Sequence, residues 1–431
     1  MSRTFYIRTF GCQMNVHDSE KLCGIMERKG FLETDNPRNA DIIIFNTCSI
    51  RQKAEQKFYS ELGRVKSCKR RHPHVKIAVA GCIAQQEGKN LFRKASHVDL
   101  ILGPQNLHVL GDWAERGDIS VATRDNPFIA LQDIPAKRFD TVKAWVTIMY
   151  GCNNFCTYCI VPYTRGRERS RPSERILSEV LNLGDQGYKE ITLLGQNVNS
   201  YRSDIDFPGL LGKLDMIPGI ERIRFITSHP RDLSDELIEA MYELPKVCEQ
   251  IHLPLQSGSD RILKLMNRGY TYKDYLAKVE RIRKRIPGIS ITTDIIAGFP
   301  SEKDEDHSRT LKALDQIKFD GIFAFKFSPR PGTKAALMPE SQPEIVKSER
   351  LTEILDIQDE ITERINRSLK GTVQEVLIEG PSKTDIGKVT GRTRTNKIVN
   401  ISDPTFPHGE IAVVEISCGR KHSLEGIPVR I

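Results

Sequence analysis

The sequence lacks both an apolar run long enough to cross a membrane and the apolar core of a signal peptide. No stretch approaches the roughly 18 apolar residues of a transmembrane helix, and the N-terminus is mixed polar. We therefore expect a cytoplasmic protein with no membrane partner. Because the cytoplasm keeps thiols reduced, the ten cysteines of the chain need an explanation other than disulfide bonds.

The sequence also has no strong excess of one charge. The formal net charge is +8 over 431 residues, which permits a polyanionic partner but does not establish one. A hydrophobic content of 39% is typical of globular proteins. The chain length predicts two or three domains, each with its own core.

Residues 1–115 predict a small parallel α/β domain, because apolar runs alternate with polar, helix-compatible stretches. The apolar runs are Phe5–Phe10, Asp41–Phe45, Val75–Ala80 and Val98–Leu102. Residues 116–143 show no clear period and include Pro127 and Pro135. We interpret this segment as a linker.

Residues 144–366 repeat a strand–helix unit six times, which predicts a partial (βα)6 barrel rather than a closed eight-stranded one. The predicted strands are Val146–Tyr150, Glu190–Leu194, Arg222–Ser228, Gln250–Leu255, Ser290–Ile296 and Gly321–Phe327. Residues 367–431 change to short alternating strands and turns, which is typical of a small all-β barrel. The predicted fold class is a multidomain α/β protein with a C-terminal β-barrel.

The strongest chemical signal is a CxxxCxxC motif, formed by Cys152, Cys156 and Cys159 just after the first predicted barrel strand. Three thiolates at this spacing can bind three corners of a [4Fe–4S] cluster. The fourth iron is then open to a bidentate small molecule, and the amino and carboxylate groups of S-adenosylmethionine (SAM) suit that position. The alternative is structural zinc, which usually takes four ligands in paired CxxC knuckles, and the sequence has no second knuckle.

Three further cysteines, Cys12, Cys48 and Cys82, each stand at the carboxyl end of an apolar strand. In a parallel sheet these ends share one edge, so the three thiols can converge on one crevice. Gly11 and Gly81 precede two of them, and glycine lets the backbone turn tightly near a bulky inorganic group. We interpret the set as a second three-thiolate cluster site. The alternative is buried structural cysteines, which are common.

Polar or glycine-led turns follow successive barrel strands, at the end where such a barrel places its active site. The candidate SAM-binding residues in and near these turns are Gly195, Gln196, Asn197, Ser228, Gln256 and Asp294. Each one alone is equally well explained by a turn or a helix N-cap. Their recurrence at one end of the barrel favours a site.

Basic residues cluster in two places that are candidates for RNA contact. Residues 51–76 contain nine Lys or Arg against two Glu, although a charge run is usually a solvated helix face. The tail carries a second basic group. The candidate RNA-binding residues are Arg51, Arg70, Arg71, Arg392, Arg394 and Lys397. Four alternating arginines after the CxxxCxxC motif suit phosphate, SAM or ion pairs: Arg165, Arg167, Arg169 and Arg171.

The CxxxCxxC motif, with an aromatic residue before its third cysteine, resembles the radical-SAM superfamily. The whole chain resembles the methylthiotransferases of that superfamily, which combine an N-terminal cluster domain, a partial barrel and a C-terminal β-barrel called TRAM. The stretches Asn46–Arg51 and Asn153–Pro172 look like the MiaB branch, which acts on N6-isopentenyladenosine at position 37 of tRNA. The RimO branch, which modifies an aspartate of ribosomal protein S12, and the MtaB branch, which acts on threonylcarbamoyladenosine, usually differ after the cysteine that corresponds to Cys48.

The resemblance implies two [4Fe–4S] clusters with different roles, a catalytic one at the CxxxCxxC motif and an auxiliary one that carries sulfur at the N-terminal cysteines. It implies that one SAM molecule methylates the sulfur and a second is cleaved to a radical that attacks C2 of adenine. Radical chemistry suits this carbon because its C–H bond is unactivated. The resemblance further implies a cavity shared by both clusters, the tRNA anticodon loop as partner, and an electron donor such as flavodoxin or ferredoxin.

Three other functions stay open on the sequence alone, and one is an MtaB-type modification of threonylcarbamoyladenosine in tRNA. A RimO-type enzyme acts on a basic ribosomal protein, for which an acidic tail would be suitable, whereas this tail is mildly basic. An electron-transfer or RNA-binding protein would use its clusters structurally. Such clusters normally have four protein ligands, and each cysteine set here has three.

Overall fold

The computed structural model describes residues 3–49, 52–339, 341–382, 385 and 387–429. The chain divides into two compact units. The first comprises Met1–Phe139, Met149–Asn153 and Cys159–Arg169, and the second comprises Asp140–Ile148, Asn154–Tyr158 and Ser170–Ile431. Of the CxxxCxxC motif, Cys152 and Cys159 therefore belong to the first unit and Cys156 to the second.

The first unit is built on a parallel sheet with helices on both faces. Its strands are β1 (Thr4–Thr9), β2 (Leu32–Glu33), β3 (Ile42–Thr47), β4 (Lys76–Gly81), β5 (Leu100–Leu102) and β6 (Ser120–Ala122). Its first helices are α1 (Gln13–Arg28), α2 (Gln52–Arg71), α3 (Cys82–Glu87), α4 (Asn90–Lys94) and α5 (Val109–Arg116). The strand order is β2-β1-β3-β4-β5-β6, and each of these neighbours pairs in parallel. The predicted small parallel α/β domain is confirmed.

The central strand β3 is buried at every position because apolar clusters cover both faces of the sheet. Ile42 and Ile44 pack on one side with residues of α1 and α5. Ile43 and Phe45 pack on the other side with residues of α2 and α3. A continuous apolar run is the pattern expected for a parallel strand that is buried on both faces.

The interpretation of residues 116–143 as a linker is wrong. Ser120–Ala122 forms β6, which extends the sheet next to β5, and the chain belongs to the first unit through Phe139. The amide of Lys137 donates to the carbonyl of Glu20, and the amide of Phe139 donates to the Glu20 carboxylate. A three-residue strand is too short to show an alternating pattern, so β6 could not be recognised from a local pattern.

The second unit contains the six barrel strands. In chain order, the strands of the central region are β7 (Lys143–Thr147), β8 (Met149–Tyr150), β9 (Arg169–Ser170), β10 (Glu190–Leu194), β11 (Arg222–Phe225), β12 (Gln250–His252), β13 (Ser290–Ala297) and β14 (Gly321–Lys326). The short strands β8 and β9 pair only with each other and are not barrel strands. Strands β7, β10 and β11 form one parallel sheet, and β12, β13 and β14 form another. Hydrogen bonds from Ile223 to Lys246 and from Cys248 to Ile223 join the two sheets. The six-stranded partial barrel is confirmed.

Helices alternate with these strands as the sequence predicts. They are α6 (Val161–Thr164), α7 (Ser173–Asp185), α8 (Phe207–Asp215), α9 (Asp235–Glu243), α10 (Asp260–Leu265), α11 (Tyr272–Arg285), α12 (Asp304–Ile317) and α13 (Glu344–Ser368). Short 3-10 helices lie at Pro37–Asn39, Pro104–Asn106, Ile129–Leu131, Val198–Ser200, Pro230–Asp232 and Lys334–Leu337. Within the described residues, no helix combines the length and the apolar character that a membrane span requires.

The C-terminal strands close into a small barrel around an apolar core. They are β15 (Val373–Pro381), β16 (Val389–Thr393), β17 (Ile398–Ile401), β18 (Ile411–Gly419) and β19 (Leu424–Pro428), in the order β15-β16-β17-β19-β18. Val376, Val399 and Val414 lie fully buried inside it. The predicted β-barrel is confirmed. Strand β19 could not be predicted, because its residues do not alternate continuously between apolar and polar.

Candidate metal centres and active site

Cys12, Cys48 and Cys82 follow the carboxyl ends of β1, β3 and β4, which are neighbours in the parallel sheet. The strand registers place these ends side by side. The thiol of Cys48 hydrogen-bonds to Cys12, and Cys82 lies close enough to Cys12 for their charges to interact. The structure therefore brings the three predicted thiols together at one edge of the sheet, as the donor set of a cluster with one open iron requires.

The glycines before Cys12 and Cys82 lie where any side chain would clash with neighbouring atoms. A Cβ atom on Gly11 would lie 2.3 Å from Cβ and 2.9 Å from Sγ of Cys48, and a Cβ atom on Gly81 would lie 2.3 Å from the carbonyl oxygen of Thr47. Their φ angles are +126° and +95°, which glycine adopts without strain. The tight backbone next to the thiols fits the predicted cluster site.

A buried amide network holds the same edge. Cys12 Sγ donates to Asn15 Oδ1 over 3.2 Å, and Asn15 Nδ2 donates to Asn46 Oδ1 (3.2 Å) and to the carbonyl of Thr47 (2.9 Å). Asn46 Nδ2 in turn donates to the carbonyl of Asn15 (2.8 Å) and to Ser19 Oγ (2.9 Å). Sequence reasoning missed Asn15, although its position in the first turn after Cys12 is a usable signal.

A buried ion pair lies beside these thiols. Arg165 Nη2 is 2.7 Å from Asp18 Oδ2, and the two side chains are 5% and 3% exposed. The preceding residue, Thr164, forms a side-chain hydrogen bond with Cys82, and Gln105 Nε2 donates to the carbonyl of Arg165 over 2.8 Å. Within the first unit, the segment that follows Cys159 therefore supports the N-terminal cysteines.

The surroundings shift the pKa values of the thiols. The hydrogen bond from Cys48, aided by the positive charge of Arg165 and opposed by burial, lowers the pKa of Cys12 to about 6. Burial raises the pKa of Cys82, and Arg165 opposes that shift. The lowered pKa favours loss of the Cys12 proton, and the thiolate is the form that binds metal. Burial raises the pKa of Cys23 and Cys248, which lie outside both sets.

The loop with the CxxxCxxC motif is tightly held. In the first unit, the amide of Cys152 donates to the carbonyl of Gly166 over 3.2 Å, and a Cβ atom on Gly151 would lie 2.1 Å from the carbonyl oxygen of Arg167. Phe155 has a φ of +46°, which a residue with a Cβ atom rarely adopts. Strained backbone of this kind is typical of functional loops.

In the second unit, the buried Arg268 contacts a cysteine of the motif. Its Nη1 donates to Cys156 Sγ over 3.3 Å and to the Tyr158 hydroxyl over 3.4 Å, and its Nη2 donates to the carbonyl of Pro254 over 2.8 Å. A charged donor stabilises a thiolate more than a neutral one does. Sequence reasoning missed Arg268, which is 112 positions from Cys156 and belongs to no recognised motif.

Among the described residues, no three Cys, His, Asp or Glu side chains are arranged to ligate one metal ion. In a cubane cluster each thiolate binds a different iron atom, so its ligands need not meet around a single point. All ten cysteines lie in the described part of the chain, and none of them forms a disulfide bond.

Three polar atoms after β10 and β11 are buried without a hydrogen-bond partner among the described residues. They are Asn197 Oδ1, Ser228 Oγ and His229 Nε2. Because the amide of Arg231 donates to His229 Nδ1 (3.2 Å), the proton of the neutral imidazole is on Nε2. Buried polar atoms are nearly always paired, so an acceptor, a hydroxyl and an N–H donor are available here. This set fits a ligand as polar as SAM.

The remaining SAM candidates lie on or after neighbouring strands. Gly195 and Gln196 follow β10 directly. Gln256 has a φ of +75°, and its backbone amide donates to the carbonyl of Asp294 over 2.8 Å. Asp294 lies within β13 rather than at its end, and its Oδ1 is 3.4 Å from His252 Nε2.

An exposed apolar surface lies on the last barrel strands. We define the aromatic wall as Phe323, Phe325 and His252. Phe323 and Phe325 on β14 are 51% and 41% exposed, and the His252 ring meets Phe323 edge-on at 5.7 Å. The next residue of β14, Lys326, points to the opposite face and contacts Glu344 on α13. Strand alternation therefore places the aromatic wall on the face of the sheet opposite to α13.

Most basic residues of α2 are exposed, whereas Lys69 is partly buried and pairs with Asp99. Arg70 and Arg71 are exposed in its last turn, whereas Arg51 lies outside the described residues. We define the α2 basic stripe as the exposed residues Lys53, Lys57, Arg64 and Arg71. Their spacings of 4, 7 and 7 positions keep them on one face of the helix.

The three predicted basic residues of the tail are partly exposed and form ion pairs. They pair with carboxylates of the same unit: Arg392 with Glu379 (3.0 Å), Arg394 with Glu249 (2.8 Å) and Lys397 with Asp320 (2.8 Å). Arg222 and Arg224 donate to backbone carbonyls of the same hairpin. The pairs of Arg394 and Lys397 link the small barrel to the six-stranded one, and RNA contact by the three tail residues stays a prediction.

The alternating arginines after the motif also have internal partners. Arg165 pairs with Asp18 as described above. Arg169 Nη2 lies 2.6 Å from Asp125, and Arg171 Nη1 lies 2.7 Å from Glu179. Of the roles that the sequence left open, the structure shows ion pairing for Arg165, Arg169 and Arg171.

Three family models match successive parts of the chain. They are Uncharacterized protein family UPF0004 over residues 4–103, Radical SAM superfamily over residues 146–314, and TRAM domain over residues 367–429. A solved structure of the radical SAM methyltransferase TsrM from Kitasatospora setae, with a SAM analogue bound, matches with a TM-score of 0.61 at 15% identity, covering 78% of this chain and 75% of that one. The likeness shows the fold.

Two relatives match nearly end to end. A tRNA-2-methylthio-N(6)-dimethylallyladenosine synthase of Thermodesulfovibrio yellowstonii is 57% identical, with 98% of each chain covered. The protein of the same name from Acetivibrio thermocellus is 50% identical over 99% of this chain and 91% of its own. This chain is therefore a radical SAM enzyme and belongs to the family of the tRNA-2-methylthio-N(6)-dimethylallyladenosine synthases.

Proposed function

We propose that this protein transfers a methylthio group to C2 of N6-isopentenyladenosine at position 37 of tRNA. The observation that carries the proposal is the presence of two three-cysteine sets, each of which leaves one iron of a [4Fe–4S] cluster without a thiolate from its own set. The end-to-end similarity to relatives named for this activity supports it. The N-terminal thiols converge as the second set requires.

Each part of the chain has a defined task in this reaction. When bound, the catalytic cluster and SAM supply the one-electron chemistry that attack on an unactivated C–H bond requires. The second cluster supplies the sulfur that is inserted. Cys152, Cys156 and Cys159 hold the catalytic cluster, and Arg268 orients Cys156. Cys12 and its two partner cysteines hold the sulfur-bearing cluster.

The buried atoms after β10 and β11 bind the polar end of SAM. Asn197 accepts from its amino group, and Ser228 and His229 donate to its carboxylate. Because these protein atoms are already buried and ordered, little conformational entropy is lost when they bind the ligand.

The aromatic wall receives the target base. Exposed aromatic rings stack on nucleobases, and an isopentenyl group buries apolar surface against the same rings. The Asp294 carboxylate next to His252 (3.4 Å) accepts a hydrogen bond from the N6 amine. The base lies in an anticodon loop and is already single-stranded, so extruding it costs less than it would in a duplex.

The α2 basic stripe contacts phosphates of the tRNA, and these contacts position the loop without reading its sequence. Helix α2 begins shortly after Cys48. The first basic residues of the stripe are therefore close in sequence to the N-terminal centre. A low-potential electron donor such as flavodoxin or ferredoxin completes the reaction, because reduction of the catalytic cluster needs an external electron.

Mass spectrometry of tRNA nucleosides tests the proposal. A strain that lacks this protein should lose 2-methylthio-N6-isopentenyladenosine and accumulate N6-isopentenyladenosine. The wild-type gene and Cys68→Ser, which changes a cysteine outside both sets, should restore the product, whereas Cys12→Ser and Cys156→Ser should not. An unchanged nucleoside profile together with an unmodified aspartate in ribosomal protein S12 would instead support the RimO-type activity.

A further inference from the structure

Arg165 supplies a buried positive charge to a centre to which it contributes no ligand. It is 5% exposed and pairs with Asp18 on α1, the helix that begins directly after Cys12. It directly follows α6, which packs against α3, the helix that begins at Cys82, and its charge acts on both thiols. It lies six positions after Cys159. The chain that carries the last catalytic cysteine thus continues directly to the thiols of the other set.

We propose that Arg165 is a positioning residue that raises the reduction potential of the cluster held by Cys12, Cys48 and Cys82. A guanidinium stays charged at every working pH. In a buried site a positive charge favours the more negative, reduced form of a cluster, and nearby charge is one of the means by which proteins set such potentials. The inference rests on the proposed function, because it requires a cluster at these cysteines.

Asp18 provides the means to separate charge from packing. It anchors Arg165 through the 2.7 Å ion pair, and its own negative charge acts on the same thiols in the opposite sense. Removing the charge of Arg165 should therefore lower the potential, and removing the charge of Asp18 should raise it. A general loosening of the site would shift both variants in the same direction.

The experiment uses the full-length protein with Cys152, Cys156 and Cys159 changed to Ala, so that only the N-terminal cluster can form. After anaerobic reconstitution, a redox titration followed by electron paramagnetic resonance gives the ratio of reduced to oxidised cluster. In Arg165→Met this ratio at a fixed potential should fall at least about tenfold, which corresponds to about 59 mV for one electron. Asp18→Asn should shift the ratio upward, and Arg165→Lys, which keeps the charge, should stay close to the parent.

Arg169→Met is the matched control, because Arg169 lies on the same segment but pairs with Asp125, and its ratio should equal that of the parent. A ratio in Arg165→Met equal to that of the parent would overturn the inference, as would a downward shift in Asp18→Asn. If Arg165→Met does not bind a cluster, the direction of the shift in Asp18→Asn decides. A parent protein without iron would refute the proposed cluster site itself, which is a separate result.

Discussion

His229 illustrates how strongly single residues of the site depend on burial. Its imidazole is 5% exposed and accepts a hydrogen bond at Nδ1. Burial, together with the nearby charge of Arg268, lowers the pKa of His229 to about 2. The side chain is therefore neutral in the folded protein across the working pH range, with its Nε2 proton available to a ligand.

The lowered pKa of His229 makes the folded protein less stable as the pH falls. The folded value lies below the ordinary value of about 6.5, so the unfolded chain binds a proton that the folded chain does not. The contribution of His229 is fully present above about pH 6.5 and is lost as the pH falls below it, by about 2 kcal/mol between pH 7 and pH 5. Urea unfolding of His229→Gln should lack this component. Equal pH dependence in variant and wild type would contradict the assignment.

Single residues also show where sequence information ends. The six candidate cluster cysteines and the glycines beside them could be named from spacing and strand position. Arg165 and Arg268 could not be assigned their contacts, because their partners lie 147 and 112 positions away and an arginine carries no spacing rule. For three tail residues, among them Arg394, the predicted RNA contact rests on charge and mainly on the resemblance to TRAM domains, and neither distinguishes an open surface from an internal ion pair.

At the scale of elements, helix α2 provides the basic surface that tests the RNA contact most simply. The substitutions Lys57→Gln, Arg64→Gln and Arg71→Gln together should weaken tRNA binding. They should also reduce the slope of log Kd against log salt concentration by about 2, since each phosphate contact contributes about 0.7. Filter binding over a salt series measures both effects. Neutralising the exposed Lys213, Lys264 and Lys284 of the second unit is the control, and an equal effect there would refute a specific stripe.

The hairpin between β16 and β17 has a different role, which a charge swap can reveal. Arg394→Glu places like charges opposite each other at Glu249 and removes a hydrogen bond to the carbonyl of Val247. It should destabilise the second unit by about 1 kcal/mol or more, seen as a lower Tm in calorimetry. The double variant Glu249→Arg, Arg394→Glu should recover most of the loss. A direct RNA role predicts instead that tRNA affinity stays reduced in the double variant.

The elements themselves were largely predictable. A strong 3.6-residue apolar period predicts helices at Asp235–Glu243 and Tyr272–Arg285, and α9 and α11 have these bounds. The strands β6 and β19 were not predicted. β6 has three residues, too few for any period, and β19 lacks continuous alternation. Both complete a sheet or barrel whose other strands provide the pairing partners, which is information that a local pattern does not contain.

At the scale of the whole molecule, each unit contributes chemistry that the other does not. The first holds the convergent N-terminal thiols, together with Cys152 and Cys159. The second holds Cys156 with Arg268, the unpartnered polar atoms after β10 and β11, and the aromatic wall. The proposed reaction requires all of these, so neither unit alone should modify tRNA.

The central claim is that each three-cysteine set binds its own [4Fe–4S] cluster, and iron analysis with Mössbauer spectroscopy of anaerobically reconstituted protein tests it most directly. The wild-type chain should contain about eight irons, as two cubane clusters require. Changing Cys12, Cys48 and Cys82 to Ala should leave about four, and changing Cys152, Cys156 and Cys159 to Ala should also leave about four. A wild-type content of only about four irons, or zinc in place of iron at either set, would contradict the account.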